Sequence, residues 1–179
     1  MFKKVCIASA LCTFALAGTI SANWLTGNET VLAVSQGEAA FQTSLSSDQK
    51  LAMNLTASDT ASADLVFSTK ASSSVLTLSS LPVNVSTDGN QDAKVSVTQL
   101  VNDGNGLRFY LIETGNAESA SIISYKRGVF TTAFSSASLN ESGAASFEVT
   151  KKEILLHAGS STYALTLNAK EGTFTAVKK

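Results

Sequence analysis

The chain has 179 residues, with 13 basic and 14 acidic side chains and a formal net charge of −1 at pH 7. This balance excludes the strongly basic surface that nucleic acids or anionic membranes require, so we expect no nucleic-acid partner. One histidine and two cysteines also leave few groups for acid–base or nucleophilic catalysis.

The first 22 residues have the three zones of a bacterial secretion signal. Two lysines near the start form a positive region, and a nearly uninterrupted apolar run over residues 5–17 follows. That run is shorter than the roughly 20 residues of a membrane-spanning helix. We therefore expect cleavage after Ala22 and export to the periplasm, the cell surface or the medium. Residues 23–179 are then predicted to form a single β-domain without a transmembrane segment.

Both cysteines, Cys6 and Cys12, lie inside this signal. The exported chain would therefore have no thiol for a disulfide, a metal or a nucleophile. A lipid-modified cysteine would instead anchor the protein to a membrane. The residue before Cys12 is Leu11 rather than a small residue, and this context argues against a lipid anchor.

The composition after the signal favours strands over helices. Thr, Val, Phe and Tyr suit pleated strands, and clusters of Ser, Asn, Asp and Gly suit the turns between them. In chain order, the polar segment 23–30 is expected to be a flexible lead-in. Residues 38–41 fit the start of a short helix or of a strand. Period-two alternation begins at Leu51 and recurs along the rest of the chain.

Strands are predicted where apolar and polar residues alternate, because every second side chain then faces the same side of a sheet. Residues 107–112 differ, since apolar side chains occur on both faces, which predicts a central strand covered on two sides. The predicted strands are 51–56, 64–69, 75–79, 83–86, 94–97, 107–112, 120–125, 129–134, 145–150, 153–157, 163–168 and 173–177.

Short turns connect these segments. Asp-Gly and Asn-Gly pairs occur in 86–92 and 102–106, and residues 170–172 are typical of a tight hairpin tip. Loops are expected at 71–74 and 135–142. About ten to twelve short strands joined in this way predict an all-β fold, an antiparallel β-sandwich. A closed antiparallel β-barrel is the alternative.

One segment has a partial calcium-loop pattern. Asp88, Asn90 and Asp92 occupy alternate positions, from which a calcium loop presents oxygen ligands. However, Ala93 stands where such a loop needs glycine, and Gln99 stands where the closing glutamate would be. A plain hairpin turn is therefore the better interpretation, with calcium as the only cofactor that the sequence suggests.

The sequence provides little for catalysis. His157, the single histidine, ends a predicted strand, and no Gly-x-Ser-x-Gly motif marks a nucleophile. One histidine without cysteine is also a poor basis for a zinc site. We therefore expect His157 to be a structural strand residue and the protein not to be an enzyme.

Two functional hypotheses remain. The first is an exported structural or adhesive surface subunit, fimbrial-like or matrix-like, whose partners are proteins and include copies of itself. The second is a soluble periplasmic or secreted module that binds a glycan, a lipid or a protein segment. An exposed aromatic cluster would favour the second, although the tyrosines also fit half-buried strand positions. The candidate residues for this aromatic cluster are Trp24, Tyr110, Tyr125 and Tyr163.

Overall fold

The computed structural model describes residues 23–34, 40–56, 62–70, 72–83, 93–114 and 119–179. These residues form thirteen strands and one short 3-10 helix, Ser136–Leu139. No helix among them is long and apolar enough to cross a membrane. The strands are β1 Trp24–Val34, β2 Ala40–Ser44, β3 Gln49–Thr56, β4 Ser62–Thr69, β5 Val75–Pro82, β6 Ala93–Asn102, β7 Arg108–Thr114, β8 Ala120–Lys126, β9 Val129–Ser135, β10 Ala145–Val149, β11 Ile154–Ala158, β12 Ser161–Asn168 and β13 Thr173–Lys178.

The strands form three open antiparallel sheets. The central sheet has the order β1-β6-β7-β8-β9, the first outer sheet β2-β3-β4-β5, and the second outer sheet β10-β11-β12-β13. Neighbours within each outer sheet are consecutive along the chain, as hairpin connections produce. Every sheet ends in two edge strands, so none closes on itself. The predicted all-β sandwich is confirmed, and the closed barrel is not the architecture.

Two hydrophobic cores lie on opposite faces of the central sheet, which makes the sandwich three-layered. The first core joins the central sheet to the first outer sheet, and the second core joins it to the second outer sheet. The larger side chains of the first core include Leu32, Leu51, Met53, Leu65, Phe67, Tyr110, Ile112, Ile123 and Phe130. Those of the second include Trp24, Leu100, Phe109, Leu111, Ile122, Ile154, Leu156, Tyr163, Leu165 and Phe174.

Strand β7 shows how the sequence produces this stack. Phe109 and Leu111 pack into the second core, and Tyr110 and Ile112, on the other face, pack into the first. All four side chains are buried. The prediction that 107–112 contains a central strand covered on both sides is confirmed for the residues of β7.

The prediction of a flexible lead-in at 23–30 is wrong. Residues from Trp24 onward form β1, which pairs antiparallel with β6 along its length. The start of β1 is also fixed, because the Trp24 amide donates to the Lys151 carbonyl at 2.9 Å. The segment looked polar because β1 is an edge strand whose side chains are largely exposed.

Most other sequence predictions agree with the described residues. Eleven of the twelve predicted strands are present, and β1 and β2 are additional. Of the segment 38–41, which fitted a helix or a strand, residues 40 and 41 are described, and both lie in strand β2. Gly106 and Gly172 lie in two of the predicted turns and adopt positive φ values of 66° and 75°, as predicted for these glycine-containing connections. Of the predicted strand 83–86, only residue 83 is described, and it lies just after β5.

Candidate functional site

Exposed apolar side chains are concentrated at the strand edges. Among the described residues, five large apolar side chains are exposed by 43% to 63%. All five lie on edge strands of their sheets. Edge strands present unpaired backbone groups to which another strand can add, and apolar side chains there favour such addition. The five are Leu25 and Val31 on β1, Val75 on β5, Val129 on β9 and Val177 on β13.

The edges differ in how well they are protected against pairing. Strand β13 ends in Lys178, and β5 ends in Pro82 and contains Ser80 at a φ of 56°. Lysine, proline and irregular backbone are features that natural sheets use to block edge pairing. Strand β1 has eleven residues without Pro, Lys or Arg, and its only charged residue is Glu29. It is the longest edge strand among the described residues, and beyond the bulge between Thr26 and Glu29 no Pro, Lys or Arg blocks pairing along it.

A groove lies at one end of the second core. It has a volume of about 620 Å³ and is formed by the start of β1, the end of β6 with the turn that follows it, the residues just before β11, and β12 with the residue after it. Trp24 forms part of its wall, and Lys152 and Glu153 lie at its rim. The lining combines apolar side chains, such as Trp24 and Leu165, with charged and amide groups, a mixture that is common in ligand-binding sites.

Asn102 is the most unusual residue of this groove. Its side chain is 2% exposed, and Oδ1 is buried without a hydrogen-bond partner among the described residues. A buried acceptor without a donor costs free energy of roughly 1–3 kcal/mol. Sequence reasoning missed Asn102, because an asparagine before Asp-Gly predicts an exposed turn and nothing in the pattern indicates burial.

The four aromatic residues predicted for ligand binding do not form one cluster. Trp24 and Tyr163 belong to the second core, whereas Tyr110 and Tyr125 pack in the first core, on the opposite face of the central sheet. Only Trp24 lines the groove described above. A binding role for Trp24 stays a prediction, and no shared aromatic surface joins it to the tyrosines.

Each tyrosine hydroxyl has a polar partner. Tyr125 is half-buried, as the sequence interpretation expects, whereas Tyr110 and Tyr163 are more deeply buried than expected. The Tyr125 hydroxyl donates to Asp48 Oδ2 at 3.3 Å, and the Tyr163 hydroxyl donates to Glu141 Oε1. The Tyr110 hydroxyl donates to Gln49 Oε1 between two buried side chains. Burial raises the pKa of Tyr110 to about 12, because the phenolate would be poorly solvated there.

Glu113 is a partly buried carboxylate beneath an edge strand. Its Oε1 accepts a hydrogen bond from the backbone amide of Phe147, on β10, at 2.7 Å. Burial raises the pKa of Glu113, the Phe147 amide opposes that shift, and the nearby Glu29 carboxylate adds to it. Glu113 therefore joins the central sheet to β10.

His157 lies on β11, beside the turn that leads to β12, as predicted for a strand residue. Its two ring nitrogens lie 3.2 Å from Thr162 Oγ1 and 3.1 Å from Glu148 Oε2. These distances resemble those of a catalytic triad. Thr162, however, is directly opposite His157, and Glu148 lies diagonally across from it on β10. All three side chains are exposed or half-exposed and lie outside the groove described above. The arrangement is typical of a stabilising surface network.

The predicted calcium ligands Asp88, Asn90 and Asp92 lie outside the described residues, so calcium binding stays a prediction. Within the described ranges, no three His, Cys, Asp or Glu side chains come close enough to hold a metal ion. No family model matches the chain, and no curated protein and no solved structure is significantly similar to it.

Proposed function

We propose that the chain is an exported structural or adhesive surface subunit, fimbrial-like or matrix-like, that acts through its β-surfaces and strand edges. One observation carries the proposal: all five exposed large apolar side chains of the described residues lie on edge strands. Export rests on the predicted signal at residues 1–22, and assembly outside the cytoplasm fits a chain that has no cysteine after that signal.

The architecture suits a building unit. Three stacked sheets bury both faces of the central one, so the unit can be rigid without disulfides. Strand addition at an edge uses backbone hydrogen bonds for affinity and neighbouring side chains for specificity. A subunit of this kind needs no reactive group, and its interactions depend on edges and charge.

The test uses residues 23–179, secreted from the full-length chain and purified from the medium or periplasm. N-terminal sequencing should begin at Asn23, and negative-stain microscopy should show oligomers or filaments whose size increases with concentration. Retention of the intact chain in the cytoplasm would contradict export. A particle that stays monomeric at all concentrations would contradict the subunit function.

A second candidate function is a soluble binding module for a glycan, a lipid or a protein segment. The groove favours it, and the polar residues in its lining, among them Asn102, Lys152 and Glu153, favour a hydroxyl-rich ligand such as a glycan. Trp24 is the single tryptophan, so its fluorescence reports on this groove. Titration with oligosaccharides should change the emission in the parent protein and not in an Asn102→Leu variant. Unchanged emission with every sugar would count against this candidate.

A further inference from the structure

We infer that two copies of this chain pair through the outer edge of β1, antiparallel and with Val31 on the two-fold axis. The two central sheets then form one continuous ten-stranded sheet. This inference rests on the proposed function, because it names the partner of the longest edge strand as a second copy.

The hydrogen bonds at the start of β1 fix the direction of the backbone groups on β6. The Asn102 amide donates to the Leu107 carbonyl at 3.0 Å, so it points towards β7. Asn102 is opposite Trp24, whose own amide points away from β6 to the Lys151 carbonyl. Along an antiparallel ladder such directions alternate from residue to residue. The backbone amide and carbonyl groups of Val97 and Val95, which are five and seven residues before Asn102, therefore point towards β1.

The same alternation gives the outward-facing groups of β1. The register shift between Thr26 and Glu29 places the extra residue in β1, so the alternation of β6 is unbroken. Thr30 and Leu32, which pair with Val97 and Val95, therefore bond inward to β6. The residues between and beside them direct their amide and carbonyl groups outward, to the side on which β1 has no neighbour among the described strands. These residues are Glu29, Val31 and Ala33.

These outward groups define the register of the pair. In an antiparallel pair, residues that exchange two hydrogen bonds must both face outward. Val31 opposite Val31 of the second copy satisfies this rule, and it places Glu29 of each copy opposite Ala33 of the other. Val31, 54% exposed in the single chain, is then buried against its own copy. Such an interface is self-complementary and closes at two copies.

Charges favour the same register. Lys94 pairs with Ala33 within one copy, so Glu29 of the second copy lies in the same cross-strand row, on the other side of Ala33. Glu29 accepts a hydrogen bond from Ser96 Oγ at 2.6 Å, which places its side chain on the face that Ser96 shares with Lys94. Both charged side chains are exposed. The row thus brings Lys94 of one copy and Glu29 of the other together, and this occurs twice in the dimer. Their backbones are two strand spacings apart, roughly 9–10 Å, a gap that two long side chains can span.

A competing register is less favourable. Centring the pair on Glu29 would also match outward-facing backbone groups. It would place the two Glu29 carboxylates directly opposite each other, where like charges destabilise a sheet. Centring on Val31 replaces that repulsion with an apolar contact.

Single cysteines test the register, since residues 23–179 contain none of their own. Opposed residues that exchange hydrogen bonds have Cα atoms about 5.5 Å apart, within the range that a disulfide spans. Under mild oxidation, Val31→Cys should form a covalent dimer at least tenfold faster than Val177→Cys, an equally exposed edge position on the second outer sheet. A mixture of Glu29→Cys and Ala33→Cys should form the mixed dimer.

The outcomes separate this inference from the proposed function. Equal, slow cross-linking of Val31→Cys and Val177→Cys overturns the β1 pairing; if the parent protein still assembles, the subunit function stands and uses another edge. Rapid Val31→Cys dimers without any larger assembly support the pairing and count against the subunit function. Cross-linking of Glu29→Cys with itself, rather than with Ala33→Cys, overturns the register.

Discussion

Trp24 and Leu32 lie on the same strand, yet their side chains pack into opposite cores. Both are even-numbered, so a regular strand would direct them to the same face of the sheet. The bulge between Thr26 and Glu29 adds one residue to β1 and inverts the alternation. One edge strand thereby contributes a large apolar side chain to each of the two cores.

The separation of the two cores predicts additive effects. Trp24→Ala and Leu32→Ala should each lower the free energy of unfolding by about 2–5 kcal/mol, because each leaves a cavity in a packed core. The double variant should equal the sum within about 0.5 kcal/mol, since the two side chains share no core. Urea unfolding measures all three variants. A coupling energy well above 1 kcal/mol would contradict the assignment of these residues to separate cores.

The buried Tyr110–Gln49 pair predicts sensitivity to alkaline pH. The pKa of Tyr110 is raised to about 12 from 10.0, so the folded state favours the neutral phenol. Its stabilising contribution is complete below pH 10 and is lost as the pH rises towards 12. Urea unfolding at pH 8 to 12 should therefore show a steeper loss of stability for the parent than for Tyr110→Phe.

At neutral pH the same substitution should be destabilising. Tyr110→Phe leaves the buried Gln49 oxygen without its donor, which costs roughly 1–3 kcal/mol. Tyr163→Phe is the comparison variant. The Tyr163 hydroxyl binds Glu141 at the edge of the second core, whereas the Tyr110 hydroxyl is buried in the first core. An identical alkaline profile for the parent and Tyr110→Phe would refute the assigned burial.

Glu113 predicts a stabilising substitution. Because burial raises its pKa, the contribution of the neutral carboxyl is present at low pH and is lost as the pH rises through the pKa of the folded state. Glu113→Gln keeps an oxygen for the Phe147 amide without a desolvated charge. Its melting temperature should therefore exceed that of the parent at pH 7 and match it at pH 3. Glu171→Gln, in an exposed turn, controls for the change in net charge; an equal gain there would contradict the explanation.

The predicted cleavage after Ala22 should affect the stability of the folded protein through a contact at the start of β1. The Asn23 backbone nitrogen lies 2.6 Å from Asp103 Oδ1, and cleavage after Ala22 would make it a charged terminal amine. Asp103→Asn should then lower the melting temperature modestly, and more so at low salt, in protein that begins at Asn23. A chain with one extra N-terminal residue should lose less. Equal losses in both forms would show that no ion pair depends on the new terminus.

Sequence patterns predicted the fold best where apolar periodicity was strong. Two-sided apolar residues identified β7, and glycine-containing turns identified several hairpins. The flexible lead-in predicted at 23–30 was wrong, and no strand was predicted at 31–34, because the bulge breaks the period and an edge strand can be polar. The run of apolar residues at 31–34 was the available signal for its second half.

The candidate sites were harder to predict than the strands. Val31 becomes notable only once the sheet order shows that β1 is an edge strand among the described residues. Asn102 becomes notable only once the second outer sheet covers it, since its sequence context is that of an exposed turn. Both depend on contacts between residues distant in sequence, which periodicity alone does not contain.

Sedimentation equilibrium of residues 23–179 tests the central claim, assembly through strand edges, most directly. The parent's average mass should increase with concentration. Val31→Lys should remain close to the monomer mass, because a charge on the exposed edge blocks pairing without disturbing either core. Val177→Lys, an equally exposed change on another edge, should retain the association between β1 strands. A parent protein that stays monomeric at every concentration would contradict the claim.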